Sequence, residues 1–385
     1  MIHYFNPGHE TAVLNNSRYY RPAANQLKMQ ADLAYLPAWY ARPADYVWVD
    51  KPLGEDFLRL TQALPHLAQA ITTAEVSAIA GQEEVELWGI SPQAIHQLNL
   101  SPTLWKDEYR ELTSRAPARR CLSRLIDNIP EIDKKILPVC HSQIASIEES
   151  LRQSTGKQLL KSPYSSSGRG LVWLPPGELA RSEKQIIAGM LKKQSCVSTE
   201  PALDKALDFS FHFRIEQDRT VSFLGYSLFN TNSKGAYLYS LLDSQQHFEE
   251  KLHSYIPPGL LSQITPYIIA FIGEEYAPYY TGNIGVDMLI YQDEGQYRLH
   301  PCVEINMRKS MGYLSLRLYT RFVHPQSRGA FYIDYYKDSN KLLEKHNTLM
   351  RSHPLVIENG RICSGYMPLC SVEADSNYWA YLLIK

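Results

Sequence analysis

At 385 residues the chain is too long for one ordinary core, so two or three domains are expected. Its 44% hydrophobic and 21% charged residues suit a globular protein, and a net charge of −1 argues against nucleic acid or a charged membrane as partner. Six scattered cysteines with no Cys-x-x-Cys pair exclude the pattern of a zinc ribbon and fit reduced thiols in the cytoplasm.

In chain order, IHYF reads as a first strand, AANQLKMQADLAYL as a helix and DYVWVD as a strand. EVELWGI is another strand, and SPQAIHQL a helix with Ser91 as cap and Pro92 in the first turn. This alternation predicts a small, mostly parallel α/β layer over residues 1–110. Residues 110–135 are basic and helical. From about 137 to 205 the pattern is strand (KILPVCHS), helix (IASIEESLRQ), strand–loop–strand (KQLLKSPYSSSGRGLVWLPPG), helix (LARSEKQIIAGML) and strand (SCVSTEPALD). From Phe209 the spacing predicts antiparallel hairpins, a helix over about 262–277, and a long hairpin turning near Gly295. The last 65 residues hold more strands, with Asn359–Gly360 as a tight turn, and many of the 26 tyrosines. The opening MIHYFNPGHE has no basic segment before an apolar one, so no signal peptide is expected, and runs such as YIIAFI are too short to span a bilayer.

Three segments carry chemistry. In CVEINMRKS, Glu304, Asn306 and Arg308 share one face of a strand. A turn at Gly295–Gln296 sets Asp287 opposite Glu304, so two carboxylates and an amide gather as hard oxygen ligands suited to Mg²⁺, with the Arg308 fork beside them. In LLKSPYSSSGRGLVWL, Gly168 and Gly170 permit a backbone nest for phosphate, and Lys161 can place its ammonium there. In VSTEPALDKALDFSF, Glu200–Pro201 begin a hinge whose backbone could meet an adenine edge, with Leu203 for its face and Asp208 for ribose hydroxyls. Taken singly, each segment is also explained blandly, as a solvated strand face, a hairpin tip and a connector.

In this order the three segments resemble the ATP-grasp superfamily, to which D-alanine–D-alanine ligase and biotin carboxylase belong, over residues 110–320. The resemblance implies an α/β (α+β) architecture: an N-terminal α/β pre-ATP-grasp domain (1–110), a small lid subdomain with its linker helix (111–205), a large antiparallel subdomain with the Mg site (206–325) and a C-terminal extension (326–385). It implies that Lys161 and the loop Ser165, Ser166, Ser167, Gly168 and Gly170 hold ATP phosphates, that Glu200 and Leu203 hold adenine and that Asp208 holds ribose. Asp287, Glu304 and Asn306 would bind one or two Mg²⁺ ions, with Arg308 facing the reacting phosphoryl group and Ser310 and Gly312 near the substrate. The family's second phosphate lysine has no counterpart in TSRAPARR, where Arg115 takes its place. Lys234, in FNTNSKGAY, falls where the family has a closing loop. Asn6, His9 and Glu10, after the first strand, are candidates for the acceptor pocket, because ligands of α/β layers sit beyond the carboxyl ends of strands.

The expected activity is an ATP-dependent carboxylate–amine (or thiol) ligase working through an acyl phosphate, on small-molecule carboxylate and amine substrates, with no nucleic acid or membrane partner and oligomerisation left open. An ATP-grasp small-molecule kinase and a non-catalytic nucleotide-binding protein are the alternatives.

Overall fold

The computed structural model describes residues 1–385 apart from 65, 80–82, 166, 167, 169, 234 and the side chains of 78 and 79. Its first sheet has four parallel strands in the order Gln69–Thr72, Tyr46–Val49, Ile2–Tyr4, Val85–Leu87. The strand Gln69–Thr72 is not among those expected from the sequence. It is short, and exposure at Gln69 breaks the apolar run. The order reverses between Ile2–Tyr4 and Val85–Leu87, and at such a reversal the loops beyond the strand ends diverge and leave a crevice.

The second sheet has nine strands, all antiparallel. It runs Gln296–Asn306, Gly282–Asp293, Asp204–Ile215, Val221–Thr231, Tyr237–Leu242, Gly329–Tyr335, Tyr378–Ile384, Arg361–Pro368, Val356–Glu358. The sequence DKALDFSFHFRI explains its centre. Phe209, Phe211 and Phe213 alternate with Ser210, His212 and Arg214, and the three rings are fully buried. Each buried ring contributes about 1.5–3 kcal/mol, enough to fix which face turns inward. Helices Ala116–Asn128 and Leu260–Glu275 cover that apolar face. Asn359 and Gly360 both take positive φ, as the predicted tight turn requires.

The third sheet has four antiparallel strands in the order Val139–His141, Val197–Pro201, Gln158–Lys161, Leu171–Leu174. Helices Ile144–Gln153 and Arg181–Gln194 close a small core around Ile147, Leu160 and Ile187. The segment 111–205, expected as a lid subdomain with its linker helix, divides its apolar contacts between two cores. Leu122 and Leu125 of helix Ala116–Asn128 pack into the core of the nine-stranded sheet, and only the later part builds the small one. Residues 326–385 also do more than extend the chain. Phe331, Met367 and Leu382 share one core with Phe5, Trp39 and Val47 of the first domain, and Trp39 Nε1 donates to Leu369 O at 2.8 Å. Among the described residues no helix is long and apolar enough to cross a membrane.

Candidate active site

The sheet face opposite the phenylalanines is polar. Asp287 lies opposite Glu304 on one side and Ser210 on the other, as the hairpin parity predicts. Ser210 Oγ donates to Asp287 Oδ1 at 2.6 Å, and Asn306 Nδ2 to Oδ2 at 3.0 Å. Burial, and then the charge of Glu304, push the Asp287 carboxyl up to about 6, although Ser210, Arg308 and Asn306 pull the other way. Nearby, Leu289 faces His300, so the step from Leu289 to Asp287 is matched by four residues on the other strand. This bulge contains Pro301, which has no N–H for the ladder. The extra residues number two, so Glu304 and Asn306 stay on the Asp287 side.

These groups line a cavity of about 440 Å³ between the large and small sheets. Arg308, Ser310 and Gly312 line it from the large sheet's side, and Lys161, Gly168, Glu200 and Leu203 from the small one. Lys161 Nζ pairs with the Glu200 carboxylate, and both residues are buried. The Glu200 side chain is thus held by Lys161 in the cavity wall. The Ala202 N–H is already given to Lys157 O at 2.9 Å. Asp208 also lines the cavity and accepts from Thr231 Oγ1 at 2.8 Å and Lys205 Nζ at 2.5 Å. Arg115 links the two halves. Its Nη2 lies 3.3 Å from Ser165 Oγ and 3.3 Å from Glu304 Oε1, and its Nε donates to Ser162 O at 3.2 Å.

Some expected residues stand elsewhere. Ser165 and Gly170 are not in the cavity wall. Gly170, at φ 73°, lets the loop close against Ser162 and Ser165, since an added Cβ would come within 3.0 Å of Ser165 Cβ. Gly312 lines the cavity, yet a Cβ there would fall 2.4 Å from Ser227 Oγ and 2.7 Å from His212 Nε2, so packing accounts for the glycine. Ser166, Ser167 and Lys234 lie outside the described residues.

Asn6, His9 and Glu10 do follow the first strand, but none lines the cavity. The Asn6 amide closes onto Gly89, donating to its carbonyl at 2.6 Å and accepting from its N–H at 3.2 Å, which makes it a clip between two loops. His9 is buried with neither ring nitrogen partnered. Glu10 accepts from Arg308 Nε at 2.5 Å. Burial is the largest single influence and would raise the Glu10 carboxyl; the Arg308 charge and His9 together overcome it and hold the group well below the usual range. Beside it, Lys309 Nζ reaches Glu86 at 2.8 Å and lies 5.4 Å from the Tyr40 ring centre, while its N–H donates to Trp88 O at 3.0 Å. The crevice of the parallel sheet is thus filled by the loop that carries Arg308.

Lys205, Ser210, Thr231 and His300 escaped the sequence reading. Ser210 was accessible from it, since it alternates with the phenylalanines in DFSFHF. His300 is buried on the cavity face, held down to about 3 by burial and the Lys161 charge. Nothing local marks it.

No protein-family model and no curated protein matches the chain. Solved structures do. All of this chain aligns with 87% of biotin carboxylase from Campylobacter jejuni, solved as a β-γ-ATP complex, at TM-score 0.53 and 10% identity. It aligns likewise with 92% of N5-carboxyaminoimidazole synthetase from Staphylococcus aureus complexed with ADP, at TM-score 0.50 and 12% identity. The N5-carboxyaminoimidazole ribonucleotide synthetase of Thermus thermophilus gives TM-score 0.50 and 12% identity over 94% of its length. The chain has the ATP-grasp fold. At these identities the likeness speaks for the ATP-grasp architecture alone, and chemistry has to be argued from the cavity.

Proposed function

We propose that the protein is an ATP-dependent ligase that joins a small carboxylic acid to an amine (or thiol) through an acyl phosphate. The observation that carries the reading is the Asp287–Glu304 pair: two facing carboxylates, one raised to about 6, in the cavity that also holds Lys161 and Arg308. A cation between them would relieve their repulsion. Among the described residues no group of three His, Cys, Asp or Glu could hold a metal. Two carboxylates and the Asn306 amide oxygen instead suit Mg²⁺, which keeps few protein ligands and completes its shell with water and phosphate oxygens. When bound there, Mg²⁺ would neutralise charge on the β- and γ-phosphates.

This chain's own groups supply the rest. Lys161 and Arg115 would orient the triphosphate, with Gly168 and Gly235 in the wall beside them. Leu203 would meet the base, and Asp208 the ribose. The substrate carboxylate attacks the γ-phosphorus in line, and ADP leaves. Arg308, oriented by Glu10 at Nε and by Lys309 O at Nη1, would offer Nη2 to the acyl phosphate and then to the oxyanion formed when the amine attacks, whose collapse expels inorganic phosphate. A cavity walled by two sheets would keep water from that intermediate. The solved ADP complex of the similar synthetase supports the nucleotide part of the reading.

Glu304→Ala tests it. ADP release in the presence of Mg²⁺, ATP and an acid acceptor should fall about 100-fold or more, with folding retained. Wild-type rates in that variant would sink the reading. A stable phosphorylated product with no amide or thioester would instead make the protein a kinase.

A further inference from the structure

The polar face does not end at the proposed metal site. Along the same strands, Asp287–Ser210 is followed by Gly285–His212 and then by Asn283–Arg214, each pair in register. Residues two apart share a face, so Asn283 and Arg214 point to the Asp287 side. They lie four residues from it, on the order of 13 Å.

Asn283 is 2% exposed, and neither amide atom has a hydrogen-bond partner. A buried amide left without a strong hydrogen bond in the protein is free to donate to a ligand. Helix Met311–Phe322 packs over this end of the row and brings Tyr313 and Arg317, one turn apart. The charges of Arg317 and Arg214, and with opposite sign that of Glu86, reach the Tyr313 hydroxyl, and the Asn283 side chain adjoins it. Arg214 and Arg308 both act on the Tyr280 hydroxyl, so the patch adjoins the group facing the reacting phosphoryl.

The charge count is informative. Arg308 pairs with Glu10, Lys309 with Glu86, and Arg214 with Glu216 at 3.1 Å. Arg317 pairs with no carboxylate among the described residues, and its Nε is buried without a partner. The patch is left with an Arg317 charge that no carboxylate contacts among the described residues, beside a buried amide.

We propose that Arg317, Arg214 and Asn283 bind a second oxyanion of the acid substrate, so that the acid is one with an anionic group at each end. This rests on the ligase reading for the first anion, which meets the phosphoryl group near Arg308. The second group is a carboxylate or a phosphate; a guanidinium fork and an amide N–H donate equally well to either.

Binding is measured first, on Glu304→Ala protein, so that no turnover is needed. Glutarate and 4-phosphonobutyrate are titrated at matched ionic strength, with butyrate as the single-anion control, and the thermal midpoint is followed. Both double anions, or one of them, should shift it saturably, and the tighter of the two identifies the second group. Arg317→Met should weaken binding about tenfold or more, and Arg317→Lys, which keeps the charge, should recover part of it. The proposal is overturned if neither double anion binds saturably, if butyrate binds as well, or if Arg317→Met and Asn283→Ala bind like the parent. Turnover is then measured with Glu304 intact. Arg317→Met should raise KM for the acid about tenfold and leave KM for Mg-ATP unchanged. Binding without ADP release from any acid would support the anion site and count against the ligase reading.

Discussion

Glu10 is a buried carboxylate and Asp287 a half-buried one, both within reach of Arg308, yet they are held in opposite states. Glu10 has the guanidinium in direct contact and stays ionised well below the usual range. Asp287 has Glu304 opposite and only hydroxyl and amide donors in contact, and it is raised to about 6. Burial is the largest influence on each and raises both; at Asp287 the Glu304 charge adds to it, while at Glu10 Arg308 and His9 together reverse it. One site carries its own counter-ion and is structurally complete. At the other, Arg115 contacts Glu304 at 3.3 Å, while Asp287 itself has no cation in contact.

Breaking the complete site should have the largest effect. Arg308→Met leaves Glu10 buried and unpaired and should cost about 3–5 kcal/mol in denaturant unfolding, besides abolishing turnover. Breaking the incomplete site should do the reverse. The Asp287 carboxyl rises on folding from 3.8 to about 6, so the wild type loses stability as pH climbs through that window and stays lower above it. Without Mg²⁺, Asp287→Asn should therefore be more stable than wild type by up to about 3 kcal/mol at pH 8, the gap closing below pH 4. Glu10 should give the opposite slope: its contribution is present above its unfolded value of 4.5 and is lost as pH falls through its lower folded value. Equal pH slopes in Asp287→Asn and Glu10→Gln would erase the distinction. Ser210→Ala is the finest probe. It removes a donor to the ionised form of Asp287, so the pH at which Mg-ADP binding sets in should rise, with a loss of about 1–2 kcal/mol in Mg-ADP affinity near pH 7.

What the sequence revealed follows the same division. Asp287, Glu304 and Asn306 were readable because a hairpin is local: its turn residues and its two-residue period set the pairing, and the two-residue bulge at Pro301 leaves the facing unchanged. The alternation in DFSFHF likewise announced a strand with one apolar face. Glu10 and Arg308 are 298 positions apart, and no periodicity links them. Lys309–Glu86 and Trp39–Leu369 are hidden for the same reason: each depends on how completed layers dock. Arg115 was placed near the phosphate loop, but its bond to Glu304 depends on where helix Ala116–Asn128 packs, and that helix joined the large core.

The shared core of the first and last segments bears on any attempt to shorten the protein. Phe331, Met367, Leu369 and Leu382 lie against Trp39 and Val47, while Asp32 accepts the N–H groups of Asn377 and Tyr378 at 2.9 and 3.0 Å. Trimming after residue 325 would spare every proposed contact with nucleotide. It would nonetheless strip the inner lining from the amino-terminal layer, which holds Glu10 against Arg308, so a tail remote in sequence from the chemistry helps keep the reacting arginine aimed.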